Sequence, residues 1–270
     1  MKLFRANLMR LTRPPLPAQV KDDPIHVRIR DVHKSYGSHH VLRGVSLDIH
    51  RGKTNLIIGP SGSGKTVLMR QLIRLEKPDS GKLLVNGLDF ATLEGLDLAS
   101  MRRTFGMVFQ MSALFDSMSV FDNVAFPLRE HTDLPRKETR ERVMEKLAAL
   151  GIAAAAHKLP AQLSGGMQKR VAVARAMILE SEILIYDEPT TGLDPITTET
   201  VDDLIVEAEE MFGVTSIVIS HDMASVVRIA DYLSFLHHGE IVASGTRKTL
   251  LESEHPATAE FVRASRIIIE

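Results

Sequence analysis

The sequence predicts an α/β fold: a parallel sheet buried between helices, carrying a smaller antiparallel sheet and a helical subdomain. Three observations predict it. The apolar stretch 55–58 runs into Gly59-Pro60-Ser61-Gly62-Ser63-Gly64-Lys65-Thr66 and then into a helical pattern, a strand–loop–helix unit suited to cradling phosphate. Two more apolar runs, 183–186 and 216–220, flank a helical stretch at 198–212, the alternation of parallel strands with crossover helices. Each run is apolar at successive residues, as expected of a strand covered on both faces.

The elements follow in order. Residues 1–24 close on Arg13-Pro14-Pro15-Leu16-Pro17 and are expected to form an extended, flexible leader; charges interrupt the first ten residues, so they hold no signal-peptide core. Residues 25–29 and 41–49 alternate like half-exposed strands, and 82–85 with Asn86-Gly87 reads as a hairpin, together giving the small antiparallel sheet. A helix is expected over 66–75, and a strand over 105–109 ending at Gln110. From about 112 to 162 the pattern is helical, with Val143, Met144, Leu147 and Leu150 on one face of a helix over 137–150. A helix over 167–180 follows, with Val171, Val173, Ala174, Met177 and Ile178 apolar. Residues 232–236 and 241–243 form a closing hairpin around His237-His238-Gly239-Glu240, whose histidines read as turn residues because strand neighbours face opposite sides. The tail includes Phe261, Val262 and Ile267-Ile268-Ile269, and is expected either to pack on its own domain or to dock on a second copy of the chain or a regulatory subunit.

Composition narrows the class. At 270 residues and 44% hydrophobic content, the chain can bury one large domain with a helical subdomain. A net charge of −1 gives no electrostatic case for nucleic acid. With no cysteine, disulfides and thiolate metal sites are excluded. No apolar run approaches the ~20 residues needed to cross a bilayer, so any membrane association is expected to be peripheral.

The chemistry gathers where strands end. The glycines of the 59–66 loop let backbone N–H groups close around phosphate, Lys65 reaches the terminal phosphates, and the Thr66 hydroxyl is placed to ligate Mg²⁺. The run 183–186 ends in Asp187, a second candidate Mg²⁺ ligand, and Glu188, one residue on, is placed to polarise an attacking water. Isolated, such an acidic pair is a solvated turn; at the end of a parallel strand it points to a ligand. Leu163-Ser164-Gly165-Gly166 opens a helix, where a hydroxyl, bare backbone and the positive helix terminus together favour an anion. Gln110 and His221 each end a strand-like stretch. Alone, either is an ordinary structural residue; a parallel sheet gathers both ends on one edge.

With these motifs in this order, over about residues 25–250, the chain resembles the ATPase subunit of ABC transporters. The 59–66 loop is similar to the Walker A motif, 183–188 to Walker B, Gln110 to the Q-loop, 163–168 to the LSGGQ signature, Gly192-Leu193-Asp194 to the D-loop and His221 to the switch histidine. Tyr36, in Lys34-Ser35-Tyr36-Gly37, resembles the aromatic that stacks on adenine. The signature departs at Met167, where the family usually has Gln. The resemblance implies a RecA-like P-loop core over 25–250, a helical subdomain at about 112–165 and a C-terminal extension over 251–270. It implies ATP and Mg²⁺ as cofactors, nucleotide contacts from Tyr36, the 59–66 loop, Ser164, Gly165, Gly166 and Asp194, metal contacts from Thr66, Gln110 and Asp187, and catalytic roles for Glu188, His221 and Gln110.

The Leu-Ser-Gly-Gly-Met signature, the segments 112–116 and 120–132 after Gln110, and Asp194-Pro195-Ile196-Thr197 are similar to ATPases that drive Mce/Mla-type lipid transporters. That likeness implies phospholipid transport between inner and outer membranes, on the cytoplasmic face of a bacterial inner membrane. The implied partners are a second copy of the chain in a two-fold ATP sandwich, integral-membrane permease subunits, an Mce-domain protein and a small regulatory subunit. Other readings are the ATPase of another ABC importer, or a non-transport ABC ATPase in a cytoplasmic scaffold or division complex. A GTPase would need an Asn-Lys-x-Asp guanine reader, which the sequence does not contain.

Overall fold

The computed structural model describes residues 23–264 except 223, 224, 226 and 227. The expectations for the leader at 1–22 and for the three isoleucines of the tail lie outside the described residues.

Strands β1 (Ile25–Tyr36), β2 (His39–His50), β4 (Ser80–Val85) and β5 (Leu88–Asp89) form the antiparallel sheet, in the order β2-β1-β4-β5. The larger sheet runs β10-β9-β3-β8-β7-β6. Its members are β3 (Thr54–Ile58), β6 (Phe105–Phe109), β7 (Ile183–Asp187), β8 (Thr215–Ser220), β9 (Tyr232–His237) and β10 (Glu240–Thr246). All pair in parallel except β10, which closes an antiparallel hairpin with β9.

Successive apolar residues of the central strands divide between two cores. Leu56, Ile58, Leu184, Tyr186 and Val218 pack under α3 (Val120–His131), α4 (Arg136–Ala149), α5 (Gly165–Met177) and α6 (Pro195–Phe212). Ile57, Ile183, Ile185, Ile217 and Ile219 face the other way, against the antiparallel sheet and α1 (Lys65–Leu72). This two-sided burial is why the strands lack polar alternation. Each fully buried Val, Leu or Ile contributes about 1.5–3 kcal/mol relative to exposure.

Several boundaries differ from the sequence expectation. Helix α1 stops at Leu72 because Arg74 turns left-handed at φ +54°, held by bonds from its guanidinium to the carbonyls of Phe90 and Leu93, both at 3.0 Å. A short helix α2 (Gly95–Arg102) precedes β6. The helical pattern expected from 112 begins at Val120: Ser112 and Ala113 have φ of +59° and +46°, and Ser119 caps the helix by accepting from Asp122 N. Helix α5 starts two residues early because Ser164 is its N-cap, and ends before Glu180, where φ is +59°. The rings of His237 and His238 lie 4.1 Å apart. Strand alternation does not separate them, because His238 sits in the turn at φ +48°. Among the described residues no group of three or more His, Cys, Asp or Glu side chains could hold a metal ion.

After α7 (Arg247–Leu251), helix α8 (Pro256–Ala264) lies on the chain's own core, with the Phe261 ring 4.9 Å from that of Phe235. At the other end, Asp23 accepts two hydrogen bonds at 2.7 Å from Arg28, fastening the entry to β1. No helix among the described residues is long and apolar enough to cross a membrane.

Candidate functional site

The C-terminal ends of β3, β7 and β8 lie side by side, since β3 and β7 both pair with β8. The loop after β3 is shaped by contacts only glycine permits. A Cβ on Gly59 would stand 2.1 Å from the Leu236 carbonyl oxygen, and Gly64 takes φ +109°. Gly64 is also the N-cap of α1, with no side-chain cap, so this helix terminus opens directly onto the loop. Ser63 Oγ is buried without a hydrogen-bond partner among the described residues, and Thr66 is exposed on the first turn.

Lys65 folds back over this loop. Its ammonium donates to the carbonyls of Gly59 (2.8 Å) and Pro60 (3.2 Å) and lies 3.8 Å from Glu188 Oε1. Burial pulls its pKa down, against the carboxylates of Glu188 and Asp187, which favour the charged form. Asp187 ends β7; burial first, then the neighbouring Glu188 charge, push its pKa up, opposed by Lys65 and Arg70. A cation entering here would reverse that balance.

Glu188 is the centre of the site. Its backbone is left-handed at φ +47°, rare for a side chain of this kind, and its N–H donates to the Ile219 carbonyl at 2.8 Å. That tie to β8 turns the carboxylate back over the sheet edge. Oε2 accepts from Thr191 Oγ1 at 2.9 Å and meets His221 Nδ1 at 2.8 Å. A carboxylate so oriented, beside a lysine and an imidazole, can accept a proton from water.

Gln110 stands just beyond β6 and donates from Nε2 to the Thr191 carbonyl at 3.4 Å. Thr191 thus touches both Glu188 and Gln110. Its place three residues after Glu188, in a Thr-Thr-Gly turn, is the signal the sequence holds for it, and no periodicity singles it out. Lys169 was missed too. It is buried to 6% exposure on α5, and its ammonium donates to the carbonyls of Phe109 (3.3 Å) and Gln110. The available signal was a lysine next to the apolar run of an amphipathic helix.

Other expected residues stand apart from this cluster. Ser164 Oγ accepts from Met167 N at 3.3 Å, capping its own helix. A Cβ on Gly165 would meet nothing within 4 Å, and one on Gly166 only Thr200 at 3.7 Å. Neither glycine has a left-handed backbone, so no described residue of this chain requires glycine there. Asp194 caps α6, accepting from the N–H groups of Ile196 and Thr197, both at 3.1 Å. The Tyr36 hydroxyl donates to Glu76, and Lys34 lies 5.6 Å over its ring. Met167, the odd residue of the signature, packs half-buried against the core.

This arrangement matches a known family: residues 42–191 fit the model for the ABC transporter domain. The chain belongs to the ABC transporter family. It is 42% identical over 236 residues to the intermembrane phospholipid transport system ATP-binding protein MlaF of Escherichia coli (strain K12), spanning 87% of this chain and 88% of that one. To the probable ribonucleotide transport ATP-binding protein mkl of Mycobacterium leprae it is 37% identical over 243 residues, 90% of this chain and 70% of that one. Among solved structures it is similar to a dimeric, post-hydrolysis ATP-binding cassette, MJ0796, bound to ADP and Pi. There the TM-score is 0.70, the identity 32%, and the coverage 82% of this chain and 98% of that chain. The ABC cassette presented by this chain is an ATP-hydrolysing unit.

The residues present fit the nucleotide and its metal. The glycine-enforced loop, the orphan Ser63 hydroxyl and the retracted Lys65 are groups that phosphate oxygens would satisfy. One carboxylate, Asp187, with the Thr66 hydroxyl suits Mg²⁺, which takes few protein ligands and completes its shell with phosphate and water.

Proposed function

We propose that this chain is the ATP-hydrolysing subunit of a transporter that moves phospholipid between the inner and outer membranes. The observation that carries the lipid assignment is the 42% identity to the E. coli phospholipid transport subunit across 88% of its length. In this reading the chain sits peripherally on the cytoplasmic face of a bacterial inner membrane. Its partners there are permease subunits, an Mce-domain protein and a small regulatory subunit.

The chemistry is assigned to the cluster at the sheet edge. The 59–66 loop and Lys65 hold the phosphates. Thr66, Asp187 and Gln110 hold Mg²⁺, whose role is to neutralise developing charge on the phosphates. Glu188 takes a proton from the attacking water, and His221 orients that carboxylate through its Nδ1 contact. Tyr36 stacks on the adenine ring.

Two copies work together. Ser164, Gly165, Gly166 and Asp194 serve the nucleotide of a second copy, in a two-fold arrangement. The unexplained glycines support this reading: they open α5 at its first two positions, where alanine would hold the helix better, and no described neighbour in their own chain requires them. The dimeric form of the related cassette agrees with it.

Proteoliposomes holding this chain with its permease and an Mce-domain protein provide the test. ATP-dependent movement of labelled phospholipid to acceptor membranes is expected. ATP-dependent uptake of ribonucleotide without lipid movement would favour the second reading, which the 37% identity to the mycobacterial protein supports.

A further inference from the structure

Helix α5 carries, five residues beyond Ser164, a lysine that the chemistry above does not use. Lys169 is a cation at 6% exposure, and among the described residues no carboxylate lies within ion-pairing distance of its ammonium. A buried, unpaired ammonium is costly, so its position needs a compensating interaction. The compensation is specific: Nζ donates to the carbonyls of Phe109, the last residue of β6, and Gln110, the next residue. Strand β6 is the outer strand of the sheet, and the Phe109 carbonyl also accepts from Ser112 N at 2.9 Å, so Lys169 fastens the turn that carries Gln110 out of the strand.

The geometry points to Lys169 as a positioning residue that ties the signature helix to the backbone carrying Gln110. The inference rests on the proposed role of Gln110 at the metal, and adds what holds that side chain in place. The Gln110 backbone is gripped by Lys169 while its side chain reaches Thr191, which in turn holds Glu188. Gly106 completes the attachment: with no side chain, it lets the Ala176 carbonyl of α5 approach so closely that a Cβ would stand 2.6 Å away. Helix α5 and the end of β6 therefore shift as one body. When Ser164 at the head of α5 is drawn toward another copy's nucleotide, the same displacement reaches Gln110. The signature and the metal site of one chain are linked without passing through nucleotide.

A double-variant cycle on the full-length chain tests this, with Lys169→Met, Lys169→Arg, Gln110→Ala and the Lys169→Met/Gln110→Ala pair. The readouts are kcat, KM for ATP, the Mg²⁺ concentration giving half-maximal rate, and ATP binding in EDTA. Losing two charge-assisted hydrogen bonds is expected to lower kcat roughly tenfold in Lys169→Met and raise its Mg²⁺ requirement. Binding of ATP without Mg²⁺ should stay within about twofold, because the phosphate loop is untouched. Lys169→Arg should recover most of the rate, since guanidinium keeps the charge and the donors. In the Gln110→Ala background Lys169→Met should cause no further loss.

If Gln110→Ala lowers the rate but Lys169→Met does not, or if the two losses multiply, Lys169 does not act through Gln110 and the inference fails while the role of Gln110 stands. If Gln110→Ala changes neither kcat nor the Mg²⁺ requirement, the role of Gln110 fails and this inference with it. Should Lys169→Met not fold, Lys169→Arg and Lys169→Gln carry the same cycle; equal loss in both, with or without Gln110, rejects the tie.

Discussion

Replacing Glu188 by Gln removes one negative charge from the centre of the site and leaves its shape nearly intact. The amide oxygen can still accept from Thr191, now 2.9 Å from the carboxylate, and the side-chain volume is conserved. Two effects follow. The site loses its proton acceptor, and general-base catalysis contributes typically 10²–10⁴-fold, so kcat should fall by about that range. Lys65 also loses a counter-charge at 3.8 Å, an attraction of about 4 kcal/mol at an effective dielectric constant of 20, before desolvation is subtracted. That attraction competes with phosphate for the ammonium, so its removal leaves ATP affinity equal or tighter. The Asp187 carboxyl, held up partly by the Glu188 charge, shifts down, which favours Mg²⁺. The expected species is thus an ATP-bound dimer that accumulates because it cannot turn over. Steady-state hydrolysis gives kcat and KM, and size-exclusion chromatography with ATP·Mg²⁺ gives the dimer. Hydrolysis within fivefold of wild type, or weakened ATP binding, would refute the reasoning about Glu188.

Three further outcomes are expected. Ser164→Arg and Lys65→Ala chains, each inactive alone, should regain partial ATPase activity when mixed, since one site of the mixed dimer keeps both intact halves. No recovery in a mixture shown by native mass spectrometry to contain heterodimers argues against shared sites. Asp202, buried on α6 with Oδ1 unpartnered among the described residues, has its pKa pushed up to about 6 by burial. Between about pH 4 and that value the unfolded chain has released this proton while the folded chain keeps it, so stability falls as pH rises. Asp202→Asn should therefore match wild type near pH 4 and become more stable by about 3 kcal/mol above pH 6, read from denaturant midpoints; a constant difference across pH refutes the assignment. Gly106→Ala should destabilise by about 1–3 kcal/mol, because its Cβ would meet the Ala176 carbonyl, and a melting temperature unchanged from wild type would show that α5 can yield.

The sequence alone made the nucleotide-binding half of this protein legible. The phosphate loop is contiguous: Gly59 to Thr66 carry both the conformational freedom and the ligating groups, so local order and chemistry coincide. The buried strands were readable for a similar reason, since apolar residues at successive positions of 183–186 and 216–220 have no soluble alternative to two-sided burial. Only the tertiary structure decided how the side chains at the sheet edge are held. Glu188 owes its orientation to a left-handed turn bonded to Ile219, 31 positions away, and to Thr191 and His221 converging on one oxygen. The boundary at Val120 and the end of α1 depend on a cap and on a buried arginine reaching two carbonyls, neither of which leaves a periodic trace. Lys169 shows the limit most plainly. On its own helix it reads as one more basic residue, and it becomes a clamp on Gln110 only because β6 and α5, 59 residues apart at that contact, are packed together. Hydrophobic period and glycine placement are local properties that sequence records directly; the partner of a buried charge is set by which segments the fold brings into contact.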